Sequence, residues 1–256
     1  MSFSLISSLR YDPALPAAVS QLAINTYPDP VDTPYYLLAY HRDRLITAAQ
    51  HFQWEKALAW LQQDLRTLNQ FLDASIPDTH KPWRLRIAVN HNGNGTVDVH
   101  PTAPIDPSNL LVPSVNATPD SAVWRVYVDT QATTPSGLTT HKTTSRDAYN
   151  AARLRAEIKS PADTAEVLVV NPEGEIMEGS ITTPYFRRRD TGVSGPSWVT
   201  PPLDSGGNAG TTRRYALFQG FCVEQTISAA ELANGEECWL SNGVRGFIRG
   251  VIVLDR

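Results

Sequence analysis

Two short stretches of the chain hold residue types that do chemistry. The first is THKTTSRDAYNAAR, residues 140–153, where a lysine stands between a histidine and two threonines ahead of a helical pattern. An amine kept near neutral by desolvation or by a cationic neighbour can attack a carbonyl and form a Schiff base. Lys142 is one of four lysines, and Lys56, Lys81 and Lys159 stand beside acidic or polar residues. Taken alone, Lys142 reads first as a loop lysine next to a helix start, as most lysines do. The second stretch is SGGNAGTTRR, residues 205–214. Glycines let a backbone approach a ligand closely. Thr211 and Thr212 would open a helix whose first-turn N–H groups and macrodipole favour an anion. Arg213 and Arg214 would add positive potential. The lysine of a GxxxxGK[ST] loop is missing, which disfavours a nucleoside-triphosphate site. The bland alternative is a flexible loop ending in a threonine N-cap.

The elements that must position these stretches can be read from periodicity. FSLISSLRY has the character of a strand. Leu45, Ala48, Ala49 and Phe52 share one helical face, and Leu58, Leu61, Leu65, Leu68 and Leu72 form a second helical stripe, fit for a core or a dimer contact. RLRIAVN and TVDVHPT flank a glycine-bearing turn and predict a hairpin. Pro101, Pro104, Pro107, Pro113 and Pro119 mark residues 101–122 as a linker. Beyond it come strand-like WRVYVDT, helix-like SRDAYNAARLRAEIK, strand-like AEVLVVN, EIMEGSITTPYF and WVTPP, a helix reaching Phe218, and the strand signals ECWLSNG and GVIVLD. Strands and helices mix without strict alternation, which predicts an α+β fold with two domains, 1–117 and 118–256.

Composition excludes several functions. The chain has 256 residues, a net charge of −4 and no basic tract interleaved with aromatics, so nucleic acid is not the expected partner. No run of about 18 apolar residues predicts a membrane span. The start lacks a signal-peptide pattern. Cys222 and Cys238 offer no CxxC metal spacing, so no metal is expected, and a reducing, cytoplasmic compartment is. In that compartment the sequons at 94–96 and 116–118 carry no weight.

HKTTSRDAYNAAR resembles the lysine segment of class IV aminotransferases, the fold-type IV enzymes that use pyridoxal 5′-phosphate (PLP). The subgroup it resembles most is 4-amino-4-deoxychorismate lyase, with its HKTT-x-R-x-x-Y pattern. Four other blocks and the opening strand follow in family order. FSLISSLRYDP is similar to the opening strand, LAYHRDRLITAAQHF to the L-x-x-H-x-x-R-L helix, and EGEIMEGSITTPYF to the segment of the cofactor glutamate. GGNAGTTRR is similar to the phosphate turn, and LSNGVRGFIRGV to the N-S-L-R-G block of the lyases. The resemblance implies a small N-terminal α/β domain and a larger barrel-like β domain with flanking helices, with PLP in the cleft between them.

Carried over residue by residue, the resemblance makes Lys142 the PLP-bearing catalytic residue. It makes Glu178 the partner of the pyridine nitrogen, and Arg44 a phosphate ligand, with Arg42 left as a solvated helical arginine. Thr211 and Thr212 would complete the phosphate cup through backbone N–H and hydroxyl groups. Asn242 and Gly243 would close its other side, and Arg245 would meet a substrate carboxylate. His41 and Tyr149 match family positions but are explained almost as well by packing, and His141 would shape the surroundings of the lysine. Three positions depart from the pattern: Gly243 stands for a serine, Thr182-Thr183-Pro184 occupies the place of an asparagine, and Arg249-Gly250 that of a proline.

The reaction implied is conversion of 4-amino-4-deoxychorismate to 4-aminobenzoate and pyruvate, a step of folate biosynthesis. The alternative is a class IV transaminase acting on branched-chain or D-amino acids or on amines. A third reading is a degenerate member that only binds a phosphorylated ligand. The family also implies a homodimer acting on a small molecule.

Overall fold

The computed structural model describes residues 3–23, 26–114, 122–160, 162–189 and 197–254. The expected domain boundary at 117/118 and the sequon at 116–118 lie outside the described residues. The chain divides into two compact units. The first comprises Met1–Leu111, His141–Ser145 and Gly243–Arg245. The second comprises Val112–Thr140, Arg146–Asn242 and Gly246–Arg256. The first unit thus takes in two short segments that lie far along the chain, one of them holding Lys142.

The first unit contains β1 (Leu5–Tyr11), α1 (Leu15–Leu22), α2 (Leu38–His51), α3 (Glu55–Leu61), α4 (Leu65–Asp73), β2 (Trp83–Val89) and β3 (Gly95–Pro101). Its antiparallel sheet runs β1-β2-β3. The expected hairpin is β2–β3, with Leu85 opposite Val99. Its turn is held by Asn90 Oδ1, which accepts from the N–H groups of Asn92 and Asn94, and Gly93 takes φ +81° there. The leucine stripe at 58–72 belongs to two helices. Asp64 breaks it, because its carboxylate caps α4 by accepting from Arg66 N at 3.1 Å. Leu61, Leu68 and Leu72 are buried in the core of this unit with Leu45, Ala48 and Ala49, so the stripe serves the core. Helix α1, with Pro16 in its first turn, has no counterpart in the sequence pattern; only Leu15 and Val19 of its eight residues are buried.

The second unit contains β4 (Trp124–Ala132), α5 (Gly137–Thr140), α6 (Asp147–Arg155), β5 (Ala165–Val170), β6 (Ile176–Gly179), β7 (Thr183–Arg187), β8 (Trp198–Thr200), α7 (Thr211–Phe218), β9 (Cys222–Glu224), β10 (Glu237–Asn242) and β11 (Gly246–Ile252). Its eight strands form one mixed sheet in the order β6-β5-β4-β11-β10-β7-β8-β9. The pairs β4–β5, β4–β11 and β8–β9 are parallel. Strand β5 is buried at all six positions, which explains its nearly continuous apolar run. Val126, Leu168, Phe186, Leu240 and Ile248 form one core. Tyr149 and Ala152 of α6 form another with Val167, Val169 and Met177. The α+β class expected from the mixed pattern is the class observed.

Candidate active site

In the first unit, backbone bonds fix the lysine segment. The carbonyl of Lys142 accepts from Ile6 N at 2.9 Å, and Thr144 N donates to Ser4 O at 2.9 Å. Thr143 forms an antiparallel bridge with Leu5. Residues 142–144 therefore continue the sheet at the start of β1, and Lys142 sits half-buried on an ordered segment. His141 packs its ring 4.3 Å from that of His51 and 5.6 Å from Phe52. Burial, and then the charge of His51, lower the pKa of His141 below its ordinary 6.5.

Arg44 lies on α2 and donates to the Ser7 hydroxyl at 2.6 Å. The same hydroxyl lies 2.7 Å from Nδ1 of fully buried His41. Burial holds the pKa of His41 well below 6.5, and the nearby charges of Arg44 and Lys142 add to the effect. Both cations named from the sequence therefore act on one neutral imidazole. Gly243 is buried against the same ring. A Cβ at 243 would stand 2.6 Å from His41 Cε1, 2.8 Å from His41 Nε2 and 2.7 Å from the carbonyl of Ser8. His41 thus accounts for the glycine found where the family pattern has serine. Arg245 lies half-buried on the same short tip. Arg42 is no solvated arginine: its Nε donates to Leu61 O at the C-terminus of α3, at 2.9 Å.

In the second unit, Glu178 stands on β6, and Tyr149 of α6 donates its hydroxyl to Glu178 Oε1. Burial, and then the charge of Glu178, push the tyrosine pKa far above its ordinary value. The turn after Glu178 is held by a buried carboxylate on β5. Glu166 is fully buried and accepts from Ser180 N, Ser180 Oγ, Ile181 N and Thr182 Oγ1 at 2.5–3.1 Å. Arg146, the residue before α6, and Arg153 of α6 hold the same turn at Ser180 O and Ser180 Oγ.

The glycine-rich loop packs on the strand of Glu178. A Cβ at Gly207 would come 2.3 Å from Met177 O and 3.3 Å from Glu178 Cβ, and one at Gly210 would come 2.7 Å from Thr183 Oγ1. These glycines are required by protein packing, a purpose that the motif alone does not reveal. Gly210 is the N-cap of α7, with extended backbone and no side-chain cap. Thr211 and Thr212 are buried in the first turn. Ser241 Oγ donates to Thr212 Oγ1 at 2.7 Å and lies 2.8 Å from Tyr185 OH, a buried cluster of hydroxyls below the helix start. Arg213 does not raise the potential at this turn. It points away to Pro201 O and to the Glu224 carboxylate, which balances its charge. Asn208 donates to Thr140 O at 3.3 Å, steadying the residues just ahead of the lysine segment. Asn242 ends β10 opposite Gly246 of β11.

The structure thus groups Lys142, Arg44, Gly243 and Arg245 in the first unit, and Glu178, Thr211, Thr212 and Asn242 in the second. Sequence reasoning missed Ser7 and Glu166. Ser7 lay in the opening strand block without a role. Glu166, a charge inside an otherwise apolar strand, was a visible signal. Among the described residues, no helix is long and apolar enough to cross a membrane.

Comparison with known proteins adds to this geometry. The aminodeoxychorismate lyase of Saccharomyces cerevisiae is 31% identical over 194 residues, 66% of this chain and 51% of that protein. The chain thus spans about half the length of that relative. A Schizosaccharomyces pombe protein is 25% identical over 229 residues, 88% of this chain and 87% of its own. Among solved structures, a Mesorhizobium loti protein matches with a TM-score of 0.71 at 24% identity, covering 98% of this chain and 100% of its own. A fold IV-transaminase from Curtobacterium pusillum matches with a TM-score of 0.60 at 20% identity, covering 99% and 78%. At these identities the structures speak to the fold. The amino-transferase class IV family matches residues 31–251, and the chain belongs to that family.

Proposed function

We propose that the chain is a PLP-dependent lyase that converts 4-amino-4-deoxychorismate to 4-aminobenzoate and pyruvate. The observation that carries this reading is Lys142 held by backbone bonds to β1 within the HKTTSRDAY segment. The similarity to a yeast aminodeoxychorismate lyase supports the choice of reaction.

The donor set suits the cofactor. Each unit offers a group that suits an anionic phosphate: the uncapped start of α7 at Gly210–Thr212 in the second, and the guanidinium of Arg44, which Ser7 orients, in the first. The Asn242–Gly243 backbone is the expected further side of that cup. A protonated ring nitrogen matches the Glu178 carboxylate, and a carbonyl matches the Lys142 amine. When bound, PLP supplies an electron sink for charge developing at the substrate carbon next to nitrogen.

The remaining work falls to side chains of the protein. Lys142, as an amine, takes the proton from the substrate carbon that bears nitrogen. The enolpyruvyl C–O bond then breaks, the ring becomes aromatic, and the leaving enol takes up a proton to become pyruvate. Aromatisation is strongly downhill, so the protein has mainly to orient the substrate and to move protons. Arg245 suits a substrate carboxylate through its planar fork of donors. We take the chain to act as a cytoplasmic homodimer, as in the family it belongs to.

The test is to mix the PLP-loaded protein with freshly made aminodeoxychorismate and to assay both products. Equal 4-aminobenzoate and pyruvate, lost in Lys142→Ala, is the expected result. A yellow protein that forms neither product overturns the lyase reading and turns the search to amino donors and keto acids, the transaminase reaction.

A further inference from the structure

Tyr149 is buried on α6 and its phenol has a single proton to give. Two acceptors are in reach, Glu178 Oε1 and the carbonyl of Thr139 at 3.3 Å. The carboxylate is the nearer acceptor and, being charged, the stronger one. The pair is held at both ends. The Arg146 guanidinium lies over the Tyr149 ring, 4.6 Å from its centroid. Arg146, at the N-cap of the same helix, and Arg153 within it bind Ser180, two residues beyond Glu178. Gly207 closes against Met177 and Glu178 from the loop side. These contacts hold the turn that follows Glu178 and flank the Tyr149 ring.

We propose that Tyr149 is a positioning residue that keeps Glu178 ionised, and so keeps the proton of the carboxylate–pyridine pair on the ring nitrogen of the cofactor. The proposal rests on Glu178 facing that nitrogen, as in the function proposed above. A proton shared by a carboxylate and a pyridine sits on whichever base the surroundings leave stronger. A hydrogen bond donated to a carboxylate favours its charged form. The Tyr149 hydroxyl donates to Oε1 and weakens the carboxylate as a base. Without that hydroxyl the proton moves to Glu178, and a neutral ring draws electrons poorly. No oxidant, metal or second substrate is needed, because only the position of one proton changes.

The experiment reconstitutes the protein with PLP labelled with nitrogen-15 at the ring and follows the nitrogen chemical shift with pH. The wild type is expected to hold the ring proton from mildly acidic to mildly alkaline solution. Tyr149→Phe is expected to show a nitrogen shift moved towards the unprotonated ring throughout that range, and to lower kcat by about tenfold with KM little changed, the size of one hydrogen bond to a charged group. With 3-fluorotyrosine placed at position 149, a stronger donor that keeps the ring in place, the shift should move further towards that of the protonated ring. In a Glu178→Gln background, Tyr149→Phe should leave the nitrogen shift unchanged. A ring proton held equally by wild type and Tyr149→Phe overturns the role of the tyrosine. A wild-type ring that is never protonated, or that titrates alike in Glu178→Gln, overturns the reading of Glu178 itself.

Discussion

Arg44 donates a 2.6 Å hydrogen bond to the hydroxyl of Ser7, on the opening strand of the chain. A serine oxygen that accepts from a guanidinium still has its own proton to give, and His41 Nδ1 lies 2.7 Å away to take it. The imidazole is held neutral by burial; in the tautomer with its hydrogen on Nε2, Nδ1 accepts from Ser7. The result is a directed chain, Arg44 to Ser7 to His41, that fixes the guanidinium from behind.

Ser7→Ala removes an acceptor and a donor together. It strands a buried imidazole nitrogen, a cost of about 1–3 kcal/mol. It also frees the Arg44 guanidinium to sample other directions. We expect a lower urea midpoint with unchanged slope, and weaker PLP uptake by titration. A variant as stable as the parent, with the same affinity, would show the chain of bonds to be incidental.

Gly243→Ala tests the packing of the other side of His41. Its Cβ would stand 2.6–2.8 Å from the ring and from the Ser8 carbonyl. A ring can turn, but a strand carbonyl cannot yield without loosening β1. Overpacking of this kind costs about 1–3 kcal/mol. We expect a loss in that range, relieved only in part when His41→Ala is added, because the contact with Ser8 persists. Full additivity in the double-mutant cycle would disprove the contact.

The α+β class and most elements were legible because their burial follows simple periods: the six buried residues of β5, the 45/48/49 face of α2, the Asn-Gly turn before β3. The candidate residues were legible through motif order. Their partners were not. Ser7 and His41 are 34 positions apart, Tyr149 and Glu178 are 29, and Glu166 and Thr182 are 16. Such pairs are created by strand order and helix placement, which no local pattern encodes. The two helices hidden in one leucine stripe had a readable break at Asp64, a helix-capping type in mid-pattern. That Gly207 and Gly210 also serve protein packing was not legible, because close packing on protein and close approach to a ligand select the same residue.

Stability should fall in mild acid. His41 and His141 have pKa values below their ordinary 6.5 in the folded chain, chiefly through burial. Below pH 6.5 the unfolded chain therefore binds protons that the folded chain refuses. The stabilisation is complete above 6.5 and is lost as the pH drops towards the folded values, by at most about 1.4 kcal/mol per pH unit for His41. Half-exposed His141 contributes less, since solvent screens it. Urea unfolding between about pH 7 and pH 5, where native carboxylates have barely begun to protonate, should show this slope. His41→Asn, which keeps an acceptor for Ser7, should flatten it. A profile equally steep in that variant would assign the acid sensitivity elsewhere.

The carboxylate of Glu166 is the strongest single tie on the turn that follows Glu178. It is fully buried, and it accepts from two backbone N–H groups of that turn, Ser180 and Ile181, and from two hydroxyls. It also accepts from its neighbour Val167 N at 2.8 Å, and Arg153 stands 3.8 Å away. A carboxylate so surrounded by donors is the case in which a buried charge is compensated. Removing it leaves the donors unsatisfied and the guanidinium of Arg153 without its buried counter-charge. We therefore expect Glu166→Ala to cost about 3–5 kcal/mol in urea unfolding, the range for a broken buried pair. Glu166→Gln keeps the shape but puts an NH2 group among donors, so it should lie between wild type and alanine. It should also disturb the link between Tyr149 and Glu178 through the shared turn at Ser180. A glutamine variant that unfolds like the wild type would mean that shape alone, without the charge, holds the turn.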